Sequence, residues 1–385
     1  MSKEPQRNSV YLIDSRGVVA SENEDALQRH FKYAHELCLA NNSRFIIITA
    51  SNYSNSNNYK EYFRQYFINS NKRFSFVYIL RAVRIIIKSK EGNSILIAGD
   101  PWESAINARI IAVILKKFFK IYAPIQVQIH ADVTDPIWKS RSVINEIRYH
   151  SLNLSLKKIA QIRVVSESMR NGIISKYLLP SEQVIIAPVE LNLPNKSTEI
   201  YSCPRPRSIG FAGRFHKDRG ITDFINYVRK VDPDGNNINV TLAGDGPLLE
   251  YTLSQLKEIV NPARIEYCGN LSPDEMQVFW HTVGVYVSLA KSESYGRSIR
   301  EAAYLGIPIV GAKSNGFDQL RQVDVSWICE IESLEDPNAL ISQLECMFKV
   351  QTDDSVRTFL EAQSKKNMNI LIDSWIKLLG NDHVQ

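Results

Sequence analysis

Short apolar runs alternate with longer amphipathic stretches along almost the whole 385-residue chain; the alternation stops once, then restarts. In the first half SVYLID from residue 9, RFIIITA from 44, SILIAGD from 94, IQVQIHAD from 125, IRVVSES from 162 and QVIIAPV from 183 read as buried strands. Helical-length segments such as DALQRHFKYAHELCLANN and ESAINARIIAVILKKFFK lie between them. Strand–helix alternation implies a parallel sheet with helices on both faces. Residues 191–207 bear prolines and lack periodicity, as a linker would. Beyond them SIGFAGR, NVTLAGD, RIEYCGN, VGVYVSL and IPIVGAK resume the strand pattern, each followed by a helical stretch. We therefore expect an α/β chain of two doubly wound, Rossmann-like domains, over residues 1–190 and 208–355. A C-terminal helix over 356–385 is expected to pack back across them. Ligands of such sheets bind outside the carboxyl ends of the strands, so the chemistry should follow those runs directly.

Bulk composition excludes several classes. A hydrophobic fraction of 44% and a charged fraction of 23% are those of a soluble globular protein. The longest apolar runs are far short of a membrane span. The N-terminal MSKEPQRNSV has no apolar core of a signal peptide, so a cytoplasmic protein is expected. Five cysteines without C-x-x-C spacing read as free thiols rather than disulfides or a metal site. Charge is uneven: residues 1–190 hold 26 Lys and Arg against 16 Asp and Glu, a balance of +10 within a total of +5. Such asymmetry points to an anionic partner for one half.

Four glycine-bearing loops follow four strands of the second half. In GFAGRFHKDRGITDF, Gly213 permits a tight turn after the strand, and Arg214 and Arg219 bracket a short arc before Gly220 and a helix. Two guanidiniums beside a helix N-terminus suit a diphosphate, which is multiply charged and takes bidentate donors; a solvated basic loop has the same composition. LAGDGPLLEY makes a second tight turn with Gly244, Gly246 and Pro247. ESYGRSIRE places Glu293 and Glu301 eight positions apart around Gly296. Ser298 and Glu301 also fit an S-x-x-E capping box, a purely structural use that leaves Glu293 and Gly296 unexplained. SNGFDQL, after YLGIPIVGAK, is the fourth loop.

The order and spacing of G-R-x-x-x-x-[KR]-G, G-x-G-P, E-x-[FY]-G-x-x-x-x-E-A and G-x-P-(apolar)-V, over residues 207–325, resemble the retaining glycosyltransferases of family 4. That family has the GT-B fold, two Rossmann-like domains facing across a cleft. The resemblance implies transfer of a sugar from a nucleotide-diphosphate sugar to a hydroxyl of a glycan or lipid-linked glycan acceptor, in cell-surface polysaccharide synthesis. It implies that Arg214 and Arg219 grip the donor diphosphate, where position 219 is more often lysine in the family. Glu293 would hold hydroxyls of the donor sugar, and Glu301 both ribose hydroxyls. Gly213, Gly246, Tyr295, Gly296 and Arg297 would complete the donor site. His130, at the end of the strand VQIHAD, would stand close to the donor sugar. Glu293, His130, Arg214 and Arg219 are thus the candidate catalytic residues, with no metal and no cofactor expected. A non-catalytic nucleotide-sugar-binding protein or a GT-B epimerase would share these motifs.

Residues 60–90 carry eight Lys or Arg and a single acid, interleaved with aromatics, and KKFFKIY at 116–122 repeats the composition. This pattern suits an anionic membrane surface, which we favour over nucleic acid, or a helix with a buried aromatic stripe and a solvated basic edge. Peripheral attachment to the inner face of the plasma membrane is the corresponding expectation.

Overall fold

The computed structural model describes residues 6–19, 24–70, 75–140, 142–156, 158–191 and 205–380. The chain divides into two compact units, residues 1–190 with 365–385, and residues 191–364. Most of the stretch expected to link them, 192–204, lies outside the described residues.

Unit 1 opens with β1 (Ser9–Asp14), α1 (Glu24–Asn41), β2 (Arg44–Ser51), β3 (Asn55–Lys60) and β4 (Phe63–Asn69). It continues through α2 (Phe76–Ser89), β5 (Ser94–Ala98), α3 (Glu103–Phe119) and β6 (Ile125–Gln128). Helices α4 (Pro136–Ser140) and α5 (Val143–Leu156), β7 (Gln161–Val164), α6 (Glu167–Tyr177) and β8 (Val184–Ile186) complete it. The sheet order is β3-β4-β2-β1-β5-β6-β7-β8, parallel except for β3, which runs antiparallel to β4. Every residue of β1 and β5 is buried, as a parallel sheet covered on both faces requires.

The hairpin of β3 and β4 was not legible in the sequence and corrects the helical alternative for residues 60–90. Phe63 and Phe67 point into the core, and Tyr78 on α2 is buried with its hydroxyl donating to the Ile48 carbonyl at 2.7 Å. Much of the aromatic content of that stretch is therefore core. The basic and apolar surface that remains comes from α2 and α3.

Unit 2 runs β9 (Ser208–Ala212), α7 (Ile221–Val231), β10 (Asn239–Ala243), α8 (Leu249–Ile259), β11 (Ile265–Tyr267), α9 (Pro273–Thr282) and β12 (Val285–Ser288). Then follow α10 (Arg297–Tyr304), β13 (Ile309–Gly311), α11 (Asn315–Leu320), β14 (Ile328–Glu330) and α12 (Pro337–Lys349). Its sheet is wholly parallel in the order β11-β10-β9-β12-β13-β14. Arg205, just ahead of β9, is already anchored here: its guanidinium donates to the Val350 carbonyl at 2.6 Å and to Thr352 Oγ1 at 2.8 Å.

The last helix, α13 (Ser355–Gly380), contributes to both cores. Val356 and Leu360 pack in unit 2 with Phe317 and Trp327, while Leu371, Ile372 and Trp375 pack in unit 1 with Val10 and Leu12. Trp375 Nε1 donates to Gln126 Oε1 at 2.9 Å, which satisfies two polar groups beneath the helix.

Histidine 30 on α1 sits against Tyr33 and Phe45, with Nδ1 2.6 Å from the Ala26 carbonyl. Burial first, then the Arg29 and Arg163 charges, lower its pKa from 6.5 to about 4. The folded state thus takes up this proton at lower pH than the unfolded chain, so stability should fall as pH drops from about 6.5 to about 4. Melting curves across that window should show a shallower loss for His30→Gln than for the wild type.

Candidate active site

In unit 2 the chain leaves β9 toward β10 and β11, then returns to the other side of β9 as β12. The carboxyl ends of β9 and β12 form the switch point at which doubly wound sheets leave a crevice. The loops expected to carry chemistry, 213–220 and 289–296, begin there.

Backbone contacts weld the loop after β9 to the one after β10. Gly213 N–H donates to the Ala243 carbonyl (3.0 Å), Phe215 N–H to Asp245 (2.9 Å) and Leu248 N–H to Phe215 (3.0 Å). A Cβ at Gly244, whose φ is +120°, would overlap the Gly213 carbonyl oxygen, and one at Gly246 would meet the Phe215 oxygen at 2.5 Å. A Cβ at Gly213 would meet nothing within 4 Å. The first two glycines serve packing, whereas the space beside Gly213 is open. Arg214 is exposed at that opening.

Across the switch point, Glu293 has three links. Its carboxylate pairs with Arg219, accepts the Gly296 N–H at 3.2 Å, and its carbonyl accepts the Gly316 N–H at 2.8 Å. Gly296 is the residue before α10 and has φ +71°, a left-handed conformation that costs an L residue about 1 kcal/mol or more. Bare backbone for a ligand was the expected reason for this glycine; the structure supplies a conformational one, and a Cβ here would also meet Ile299 Cδ1 at 2.9 Å. Arg297 and Glu301 pair with each other at 3.6 Å, one turn apart on α10. Tyr295 is buried at 7% exposure, with its backbone packed against Gly316 and its ring over Arg300.

The capping box does not form. No side chain caps α10, and Ser298, inside the helix, has its Oγ 2.9 Å from Tyr286 Oη. Glu301 is therefore not accounted for as a cap residue.

Arg300 was missed by motif reading. It is fully buried, stacks under the Tyr295 ring at 3.9 Å, and donates to the Gly316 carbonyl at 3.2 Å and Gln319 Oε1 at 3.0 Å. Burial lowers its pKa, while Tyr295 and Glu293 act to raise it. One guanidinium thus ties the Glu293–Gly296 segment to the start of α11. The available signal was an arginine on the α10 stripe otherwise formed by Ile299, Ala302 and Ala303, which are all buried.

His130 belongs to unit 1, two residues beyond β6, with Nε2 3.2 Å from Gln128 Oε1. Crowding by protein, then the charges of Arg163 and Arg29, hold its pKa below the ordinary value, and the imidazole is neutral at pH 7. Among the described residues no group of three or more His, Cys, Asp and Glu could hold a metal ion.

Two parallel-sheet units with glycine-lined loops at a switch point define an α/β protein of the GT-B type. Residues 201–346 match the family model of glycosyl transferases group 1. It is 23% identical over 159 residues to 2-deoxystreptamine N-acetyl-D-glucosaminyltransferase of Niallia circulans, an alignment covering 41% of this chain and 40% of that enzyme. The chain thus spans less than half of that curated relative. The fold is similar to Anabaena HepE solved with UDP and glucose, at TM-score 0.65 and 13% identity over 97% of this chain and 98% of that one. TarM gives TM-score 0.57 and 14% identity, over 79% of this chain and 58% of that one.

Two substitutions test this construction. Gly244→Ala should destabilise the fold by about 2 kcal/mol or more, read from denaturant melts, because neither loop backbone can retreat. Arg300→Leu should stay folded but raise amide exchange at Gly296 and Gly316 by about tenfold or more. Unchanged exchange would mean that Arg300 does not tie the loops.

Proposed function

We propose that the protein is a retaining glycosyltransferase that moves a sugar, of the hexose type, from a nucleotide-diphosphate sugar to a hydroxyl of a glycan or polyprenyl-linked glycan acceptor. The observation that carries the reading is the group at the β9/β12 switch point: two arginines, two carboxylates, the N-termini of α7 and α10, and open space beside Gly213. That set matches a ligand with a diphosphate flanked by two polyhydroxy rings. HepE, with the same fold, was solved with UDP and glucose.

In this reading Arg214, Arg219 and the helix N-termini stabilise the negative charge that grows on the leaving diphosphate. Glu293 hydrogen-bonds sugar hydroxyls, and its salt link to Arg219 couples sugar position to phosphate position. Glu301 takes the ribose hydroxyls, with Arg297 beside it. Gly213 and Gly246 offer backbone at the loop surface, and the backbone of Tyr295 and Gly296, both buried, would complete the donor site from below. His130, neutral at pH 7, can donate or accept a hydrogen bond at the sugar. Retention corresponds to attack by the acceptor hydroxyl from the face the diphosphate leaves. The reading invokes no metal and no cofactor. It places the enzyme in cell-surface polysaccharide synthesis, on the cytoplasmic side of the plasma membrane, where a lipid-linked acceptor would be presented.

Thermal melting against UDP, GDP, ADP, CDP and dTDP tests the donor site without knowledge of the acceptor. One diphosphate at about 100 times its dissociation constant should stabilise the fold by about 2.7 kcal/mol. Arg214→Ala and Glu301→Ala should stay folded, lose most of that shift and lose most transfer activity. Near-normal shifts in both variants would overturn the assigned roles.

A further inference from the structure

Helices α2 and α3 pack against each other in unit 1. On α2 the inner stripe Tyr78, Ile79, Ala82, Val83 and Ile86 is buried. The outer stripe of a surface helix should then be polar. Instead it carries Phe76, Val77 and Leu80, exposed by 70%, 50% and 47%. Helix α3 repeats the anomaly: Ala105, Ala108, Ile111 and Leu115 face inward, yet Val113, Phe118 and Phe119 are exposed by 62%, 67% and 47%. Exposed apolar side chains repeated along the outer sides of two packed helices exceed the scattered single residues of an ordinary surface and mark an interaction site.

The polar residues among these side chains share one sign. Arg81 and Arg84 on α2, with Lys116, Lys117 and Lys120 at the end of α3, are exposed. Helix α2 contains no acid, and the only acid of α3, Glu103, is buried and paired with Arg148 at 2.8 Å. A second copy meeting this face about a two-fold axis would oppose cation to cation, which argues against self-association. Aliphatic Val77, Leu80 and Val113 give a nucleic acid nothing to stack on. An anionic bilayer answers all three classes at once: aliphatic side chains enter the acyl boundary, aromatic rings sit at headgroup level, and cations meet lipid phosphates. Among the described residues no helix is long and apolar enough to cross a membrane, so contact would be interfacial.

We propose that the outer faces of α2 and α3 form a docking surface for an anionic lipid bilayer. The inference deepens the glycosyltransferase reading, on which it rests for its purpose of bringing the enzyme to a lipid-linked acceptor. The surface differs from the one composition suggested, residues 60–90 with 116–122: it adds α3 residues ahead of 116, such as Val113, and excludes the strand residues 63–69.

Flotation with vesicles of phosphatidylcholine alone, or mixed with phosphatidylglycerol, tests it on the full chain. Three proteins are compared: the wild type, Arg81→Glu with Arg84→Glu, and Phe118→Ser with Phe119→Ser. Each is checked for folding and for its nucleoside-diphosphate melting shift. The wild type should partition at least about tenfold more strongly to anionic vesicles, and each double variant should lose about tenfold of that. The diphosphate shifts should stay unchanged. No anionic-vesicle binding, equal binding to both vesicles, or full binding by both variants would overturn the proposal. So would a dimer dissolved by the Phe118 and Phe119 changes, or a nucleic acid that competes the vesicles away. Vesicle binding that responds to the variants, without any diphosphate shift in the wild type, would support the surface and remove the enzyme reading.

Discussion

A parallel sheet buried on both faces leaves only its edges for chemistry. In both units the central strands are wholly covered, so the sheets themselves can meet a small ligand only through the loops at the carboxyl edge. In unit 2 that constraint is met by close backbone packing. The Gly244 and Gly246 loop lies directly on the backbone of residues 213–215, and Gly316 lies against Tyr295 and Gly296. Side chains at those three glycines would push the loops apart and with them the arginines and carboxylates.

The charges are placed by that packing rather than by long flexible side chains seeking partners. Arg219 and Glu293 come from different loops, 74 positions apart, and meet because β9 and β12 are neighbours. Arg300 adds a cation beneath the same segment, where removal from water makes its hydrogen bonds to Gly316 and Gln319 count for more than at a surface. The result is a rigid edge with two cation–carboxylate pairs near its surface. A multiply charged, hydroxyl-rich ligand suits such a site because it can engage both signs.

The two-domain α/β plan was legible from strand–helix alternation because buried parallel strands are nearly continuous apolar runs. The motif glycines were legible for the same reason that they are structurally costly: few other residues fit a turn at φ +71° or a contact with bare backbone. Other features hid. The β3–β4 hairpin was invisible because NSNNYK has no apolar alternation, and β4 hides its core side chains, Phe63 and Phe67, in a basic context. The capping-box pattern at Ser298 and Glu301 was misleading, since helix α10 starts two residues too early for Ser298 to cap it.

By itself the sequence determined the element types outside the β3–β4 hairpin, the positions of the glycine-bearing loops and the residues that can carry charge to a ligand. Those follow from local periodicity and from the conformational freedom of single residues. Only the tertiary structure decided which charges meet. It paired Arg219 with Glu293, buried Arg300 under Tyr295, and left a second set of apolar side chains on α2 and α3 facing solvent. Such outcomes depend on strand order and on which helix face the sheet covers, and both are set by contacts between residues distant in the chain.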